Sequence, residues 1–212
     1  EGLGSVYFQF SADNSKLVVS EKSGFAVYAT TDGALIKRVE LGFEPQHIRF
    51  ANQDKELVYI AEPQDKIQFL SYDDEQVTRE VESSFDVVVY EWNDQYQQLV
   101  VAGERLLAIW PRGDLMAEPH EIVAHASSIR ILALRPQADL LITFGWDRTT
   151  RVFDMSTHEQ VMQITKTFPS FAKFSDDGRL AFSSRNGECG IWKFSNFGAV
   201  TMLRKPPIEF AQ

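Results

Sequence analysis

The sequence predicts an all-β fold made of five repeats of four short strands each, and three observations predict it. An apolar residue closing a first strand recurs at Phe10, Phe50, Tyr90, Leu134 and Phe174, at steps of 40, 40, 44 and 40 residues. An aromatic late in a third strand recurs at Tyr28, Phe69, Trp110, Phe153 and Trp192, at steps of 41, 41, 43 and 39. Two separate markers holding one period identify an internal repeat. Within the units, apolar residues alternate with a period of two and are rich in β-branched and aromatic types, while no stretch keeps a helical period between caps. Four strands in a unit of about 40 residues is the pattern of a β-propeller blade. An immunoglobulin-like sandwich also has many short strands, but it does not repeat itself five times.

The predicted units are 1–44, 45–84, 85–124, 125–166 and 167–205, with a C-terminal tail at 206–212, all within one propeller domain or excerpt of one. The first enters on an inner strand at Val6-Tyr-Phe and turns at Asp13-Asn14 and Asp32-Gly33. The second and third inner strands read His47-Ile-Arg and Val87-Val-Val, with a turn at Asn93-Asp94 in the third unit. In the fourth unit the strands are 129–135, 140–146, 149–155 and 159–164. Strict alternation there puts Ile129, Ile131 and Ala133 on one face and Arg130, Leu132 and Leu134 on the other. The fifth unit opens at Phe171-Ala-Lys, turns at Asp177-Gly178 and Asn186-Gly187, and closes on an outer strand at 199–203. Asp, Asn and Gly are the residues tight turns require. Phe10, Phe50, Phe69, Trp110, Phe153, Phe174 and Trp192 are expected to fill the space between sheets, and Cys189, at a strand start, to be a small buried core residue.

Composition removes several functions. Across 212 residues, 21 Lys+Arg face 30 Asp+Glu, for a net charge of −9, so a general nucleic-acid binder, which needs a net basic face, is not expected. A 44% hydrophobic and 24% charged chain is an ordered globular one. No apolar run approaches the roughly 20 residues of a membrane-spanning helix, so no membrane insertion is expected. The single cysteine leaves no disulfide framework or Cys-based zinc cluster. With no basic stretch and apolar run of a secretory leader at the start, the expectation is a cytoplasmic protein. The turns from first to second and from third to fourth strands hold sixteen acids against five bases. Both sets emerge on one side of a propeller, so the excess acid is expected there.

Catalytic chemistry finds little support. His47, His120, His125 and His158 share no i, i+4 spacing, and no metal site is expected. The inner strands bring no carboxylates to a central channel. No Gly-rich phosphate loop, Gly-x-Ser-x-Gly or paired acid/base spacing occurs, and Asp73-Asp74-Glu75 reads as a solvated turn. No cofactor and no catalytic residue are assigned.

One unit carries a more specific pattern: His125-Ala-Ser-Ser-Ile129, then Leu140-Leu-Ile-Thr143-Phe-Gly145-Trp146-Asp147-Arg148-Thr-Thr-Arg-Val152-Phe153-Asp154. It resembles the WD40 repeat, with Ala124 where that family has Gly and Phe153 where it has Trp. Unit five keeps Ile191-Trp192 and Ser175-Asp-Asp-Gly178, with Lys193 in place of the family's Asp, and units one to three keep the hydrophobic skeleton. The resemblance implies a structural hydrogen-bond network of His125, Thr143 and Asp147. Phe153 has no indole N–H, so the network should end at the Thr143 hydroxyl. The same three residues have the composition of a catalytic triad. Thr143, however, lies mid-strand before Phe144, not on an exposed nucleophile elbow. The resemblance also puts the turn of Trp146 on the propeller face carrying the d–a and b–c loops, where partners dock. Trp146, Arg130, Arg148 and, at the rim, Ser128 are the candidate partner-binding residues; the competing role for Trp146 is packing on a neighbouring blade.

The function so implied is a non-catalytic protein–protein interaction scaffold, a subunit or domain of a larger complex. The alternative is an enzyme-type propeller with a metal or cofactor in its central channel. WD40 rings usually close with seven blades, sometimes six or eight. Five units therefore leave three readings: part of a larger ring, an open propeller completed by a partner chain or segment, or a five-bladed ring.

Overall fold

The computed structural model describes residues 7–165, 169–184, 187, 189–194 and, as backbone, 200–204. Val6, Asn186, residue 199 and the tail at 206–212, all assigned above, lie outside the described residues. Every regular element described is a strand, and no helix is long and apolar enough to cross a membrane. The strands form five four-stranded antiparallel sheets, each from four consecutive strands in order. Sheet 1 comprises β1 (Phe8–Phe10), β2 (Lys16–Glu21), β3 (Gly24–Ala29) and β4 (Leu35–Glu40). Sheet 2 comprises β5 (Gln46–Ala51), β6 (Glu56–Ile60), β7 (Lys66–Ser71) and β8 (Gln76–Glu82). Sheet 3 comprises β9 (Val89–Asn93), β10 (Gln98–Ala102), β11 (Leu106–Ile109) and β12 (His120–Val123). Sheet 4 comprises β13 (Ile129–Leu134), β14 (Leu140–Gly145), β15 (Thr149–Asp154) and β16 (Gln160–Thr165). Sheet 5 comprises β17 (Pro169–Phe174), β18 (Arg179–Ser184), β19 (Cys189–Phe194) and β20 (Val200–Arg204).

The chain divides into two compact units, Glu1–Tyr90 with Asp114–Glu118, and Glu91–Gly113 with Pro119–Gln212. In the first, sheet 1 packs on sheet 2 through Val18, Phe25, Val27 and Val39 against Ile48, Leu57, Tyr59 and Leu70, with Phe50 half-buried at the edge. In the second, sheets 4 and 5 share Ala133, Ile142, Phe144 and Val152 with Phe174, Leu180, Trp192 and Phe194. Apolar area removed from water between stacked sheets is the main stabilising term in both units.

Three expectations need correction. Phe10 is not core: it is 50% exposed, and Phe8 is 65% exposed. Phe8 pairs with Val19 and Phe10 with Leu17, whereas Gln9 pairs with Val18. Cross-strand partners share a face, so both phenylalanines lie opposite the face that sheet 2 covers. Phe69, Trp110, Phe153, Phe174 and Trp192 are buried as expected. In β13 the strict alternation fails, because the register shifts between Ile129, paired with Gly145, and Ile131, paired with Phe144. That bulge puts Ile129 and Ile131 on opposite faces and turns Arg130 out to solvent. Cys189 is a free thiol that does open β19, but it is half-buried.

The repeat is visible in register as well as in sequence. Pairing of third with fourth strands shifts at Val27/Tyr28, Phe69/Leu70, Val152/Phe153 and Ile191/Trp192, at or beside the recurring aromatic. A shift there lets the outer strand twist away while the aromatic stays in the core at Phe69, Phe153 and Trp192; Tyr28 is half-buried. In the turn from β1 to β2, Asn14 has a left-handed φ of 59°, and Asp13 accepts hydrogen bonds from the Ser11 and Ser15 hydroxyls, both at 2.7 Å. The turn from β17 to β18 repeats the device, with Ser175 donating to Asp177 at 2.5 Å and Gly178 at a φ of 77°.

Candidate functional site

The most elaborated polar cluster lies in sheet 4 of the second unit, where the β14–β15 turn (146–148) meets the segment leading from β12 into β13. His125 Nδ1 is 3.0 Å from Asp147 Oδ1, and Nε2 is 2.7 Å from Thr143 Oγ1. A carboxylate only accepts, so Nδ1 carries the proton and donates to Asp147, and Nε2 accepts from the Thr143 hydroxyl. Asp147 also accepts from the Ala126 N–H at 2.9 Å, the Thr149 N–H at 3.0 Å and the Thr149 hydroxyl at 2.7 Å. Arg151 Nη2 stands 3.6 Å from Asp147 Oδ2, and its Nε donates to Thr149 Oγ1 at 3.3 Å.

Electrostatics follow from these contacts. Burial pushes the Asp147 carboxyl up, but the Ala126 amide, His125 and Thr149 outweigh it and hold the group well below the usual carboxylate range. Burial lowers the His125 imidazole despite the opposing pull of Asp147, so the pair is a neutral imidazole on a carboxylate. Thr149 and Arg151 were not singled out from the sequence. The available signal was their alternation along β15, which puts both on the face of the Asp147 turn. Gly145 is needed for space: a Cβ there would lie 2.4 Å from His125 Nδ1 and 2.9 Å from Asp147 Oδ1.

The constellation Thr143–His125–Asp147 has the atom order of a nucleophilic triad. Thr143 is wholly buried on a central strand of its sheet, so no substrate carbonyl reaches its hydroxyl. What the network does is fix the β14–β15 turn against the backbone of 125–128.

That turn carries the candidate docking residues. Trp146 is 59% exposed, so packing into a neighbouring sheet is not its role here. Its N–H donates to the Ser128 carbonyl at 2.9 Å; the contribution of Ser128 is thus through its backbone, with the residue half-buried. The Arg130 guanidinium lies 4.2 Å from the centroid of the Trp146 ring, a cation–π stack. Arg148 is exposed, in a left-handed conformation with φ of 63°. The structure therefore brings together Trp146, Arg130 and the backbone of Ser128, and puts Arg148 on the same turn.

The other candidates stay apart. His47 lies tilted against Tyr7 with ring centroids 4.5 Å apart, and its pKa is pulled down to about 4 by burial and then by Arg49. His120 and His158 stack on one another at 4.7 Å. In the 73–75 turn, Glu75 pairs with Lys37 at 2.8 Å and Asp74 accepts from Ser71 at 3.0 Å. Among the described residues, no three of His, Cys, Asp or Glu converge as a metal centre would require. No protein-family model matches the chain, and no curated protein matches it.

Proposed function

We propose that the chain is a WD40-like β-propeller, or part of one, that works as a non-catalytic protein-interaction scaffold. Partners dock on the end of the sheets carrying the β14–β15 turn and the segment leading into β13. One observation carries this reading: an exposed tryptophan stacked on an arginine, held on a turn that a buried hydrogen-bond network immobilises. Tryptophan and arginine dominate binding energy at interfaces, and a preordered turn lowers the entropy lost on docking. The five sheets of consecutive strands and the His125–Thr143–Asp147 contacts support the family reading. The exposed Phe8 and Phe10 face of sheet 1 supports a partner chain or segment that completes the stack of sheets.

The test is affinity capture from source lysate with wild type, Trp146→Ala and a surface control, Met116→Ala, in the exposed β11–β12 connector. A discrete partner retained by wild type and the control but lost with Trp146→Ala, at unchanged melting temperature, is the expected result. Retention by all three, or stoichiometric calcium or zinc in the purified protein, would reverse the reading.

A further inference from the structure

The charge around Trp146 runs against the charge of the chain. The whole sequence carries −9, yet the connectors at this end of sheets 3 and 4 present arginines. Arg105 lies in the β10–β11 turn and is exposed, with its Nε donating to the His125 carbonyl at 3.4 Å. Arg130 and Arg148 flank Trp146. Acids are present as well: Asp86 in the connector into β9 and Glu121, two residues before Val123 on the same face of β12, are both exposed. In the β10–β11 and β14–β15 turns themselves, the Asp147 carboxylate is turned inward, held by its donors, and Glu104 is exposed beside Arg105. Arg130 makes no ion pair among the described residues, and its stack on Trp146 leaves the guanidinium edge available for a carboxylate. The end of β12 adds an apolar element: Val123, 64% exposed, pairs with Leu106, the residue after Arg105.

An exposed aromatic, an exposed aliphatic and three arginines on rigid connectors are suited to an extended segment that alternates acidic and apolar side chains. We propose that this corner binds an acidic peptide segment of a protein partner, with a carboxylate paired to the Arg130 guanidinium and an adjacent apolar side chain laid on Trp146 and Val123. The proposal rests on the docking role given to this end of the molecule and names its ligand chemistry. Charge complementarity favours the acidic peptide. A nucleic-acid strand is the competing occupant, opposed by the charge of the rest of the chain.

The experiment uses the 212-residue protein and three probes: a synthetic peptide alternating glutamate and leucine, the matching lysine–leucine peptide, and a single-stranded oligothymidine. Binding is read by calorimetry and by Trp fluorescence. Trp110 and Trp192 are buried and Trp92 is half-buried, so the part of the response lost in Trp146→Ala is the part that reports this corner. The acidic peptide should bind at least about tenfold more tightly than either other probe, and more weakly as salt rises. Arg130→Gln and Trp146→Ala should each reduce its affinity about tenfold or more. Glu104→Gln, which removes the acid exposed beside Arg105, should raise it severalfold. Preference for oligothymidine, equal binding by Arg130→Gln, or no binding at millimolar peptide would overturn the proposal. If affinity capture still finds a partner dependent on Trp146 while the acidic peptide fails, the ligand chemistry is wrong and the docking reading stands. If both fail, both fall.

Discussion

Asp147 reaches no solvent role because four donors from three residues converge on it, and removing it strands them together. Asp147→Ala should lower stability by about 1–3 kcal/mol, the cost of leaving buried donors without an acceptor. A chemical-denaturation midpoint equal to that of wild type would sink the structural assignment. Gly145→Ala should cost at least as much, because its Cβ displaces the His125 ring from Asp147, and it should do so without removing any polar group. A third outcome follows from pH. The His47 imidazole has a folded pKa of about 4 against an ordinary 6.5. The fold thus keeps the neutral form, and its contribution is complete above about pH 6.5. As pH falls from there toward 4, the unfolded chain takes up a proton that the folded chain refuses, and stability declines. His125 shifts in the same direction. Asp147, depressed from 3.8, holds its contribution above that value and loses it at still lower pH. His47→Asn, a residue compatible with the left-handed φ of 52°, should flatten the slope of stability between pH 6.5 and 4. An unchanged slope would assign the acid sensitivity elsewhere.

Strand pairs show how far the period alone reaches. The recurring aromatics mark third strands, and in four sheets the register shift falls at or beside them. Alternation in the first strands misleads, because β5, β13 and β17 each shift register near their starts. A shift is a backbone event with no required residue type, so the β13 sequence gave no sign that Arg130 would leave its strand face and meet Trp146. Tyr90 shows a cross-strand tie of the same kind. Its buried hydroxyl lies 2.6 Å from the His47 carbonyl and 2.7 Å from that of Val58, joining the residue to both β5 and β6. Tyr90→Phe keeps the packing and removes this tie, and should cost about 1–2 kcal/mol in thermal or denaturant unfolding.

At the scale of the molecule, some of the exposed apolar residues group on single sheet faces. In the first unit Phe8, Phe10 and Leu35 share the uncovered face of sheet 1, with Leu17, Val19 and Tyr28 half-buried among them. In the second unit Phe171, Ala181 and Ile191 share the face of sheet 5 opposite the one packed on sheet 4, together with the exposed Lys173 and Lys193. Of the two, the sheet 1 face, with its exposed phenylalanines, is the one suited to association. The isolated chain should associate with rising concentration in light scattering, and Phe8→Ser with Phe10→Ser should reduce that association while leaving the unfolding free energy within about 1 kcal/mol. Identical, concentration-independent masses for both proteins would show that this face is not sticky.

The sequence by itself determined the all-β class, five units of four strands, the turns at Asp13-Asn14, Asp32-Gly33, Asn93-Asp94 and Asp177-Gly178, and three members of the His125 network, but not Thr149 or Arg151. These depend on local periodicity and on side-chain chemistry at fixed spacing. Tertiary structure decided which aromatics are covered, since Phe10 and Phe174 occupy equivalent repeat positions and differ only in whether a neighbouring sheet lies against them. It also decided the partnership of Arg130 with Trp146, which depends on a bulge in one strand and a backbone hydrogen bond from another. Burial and bulges are set by neighbours far away along the chain, and the repeat carries no record of them.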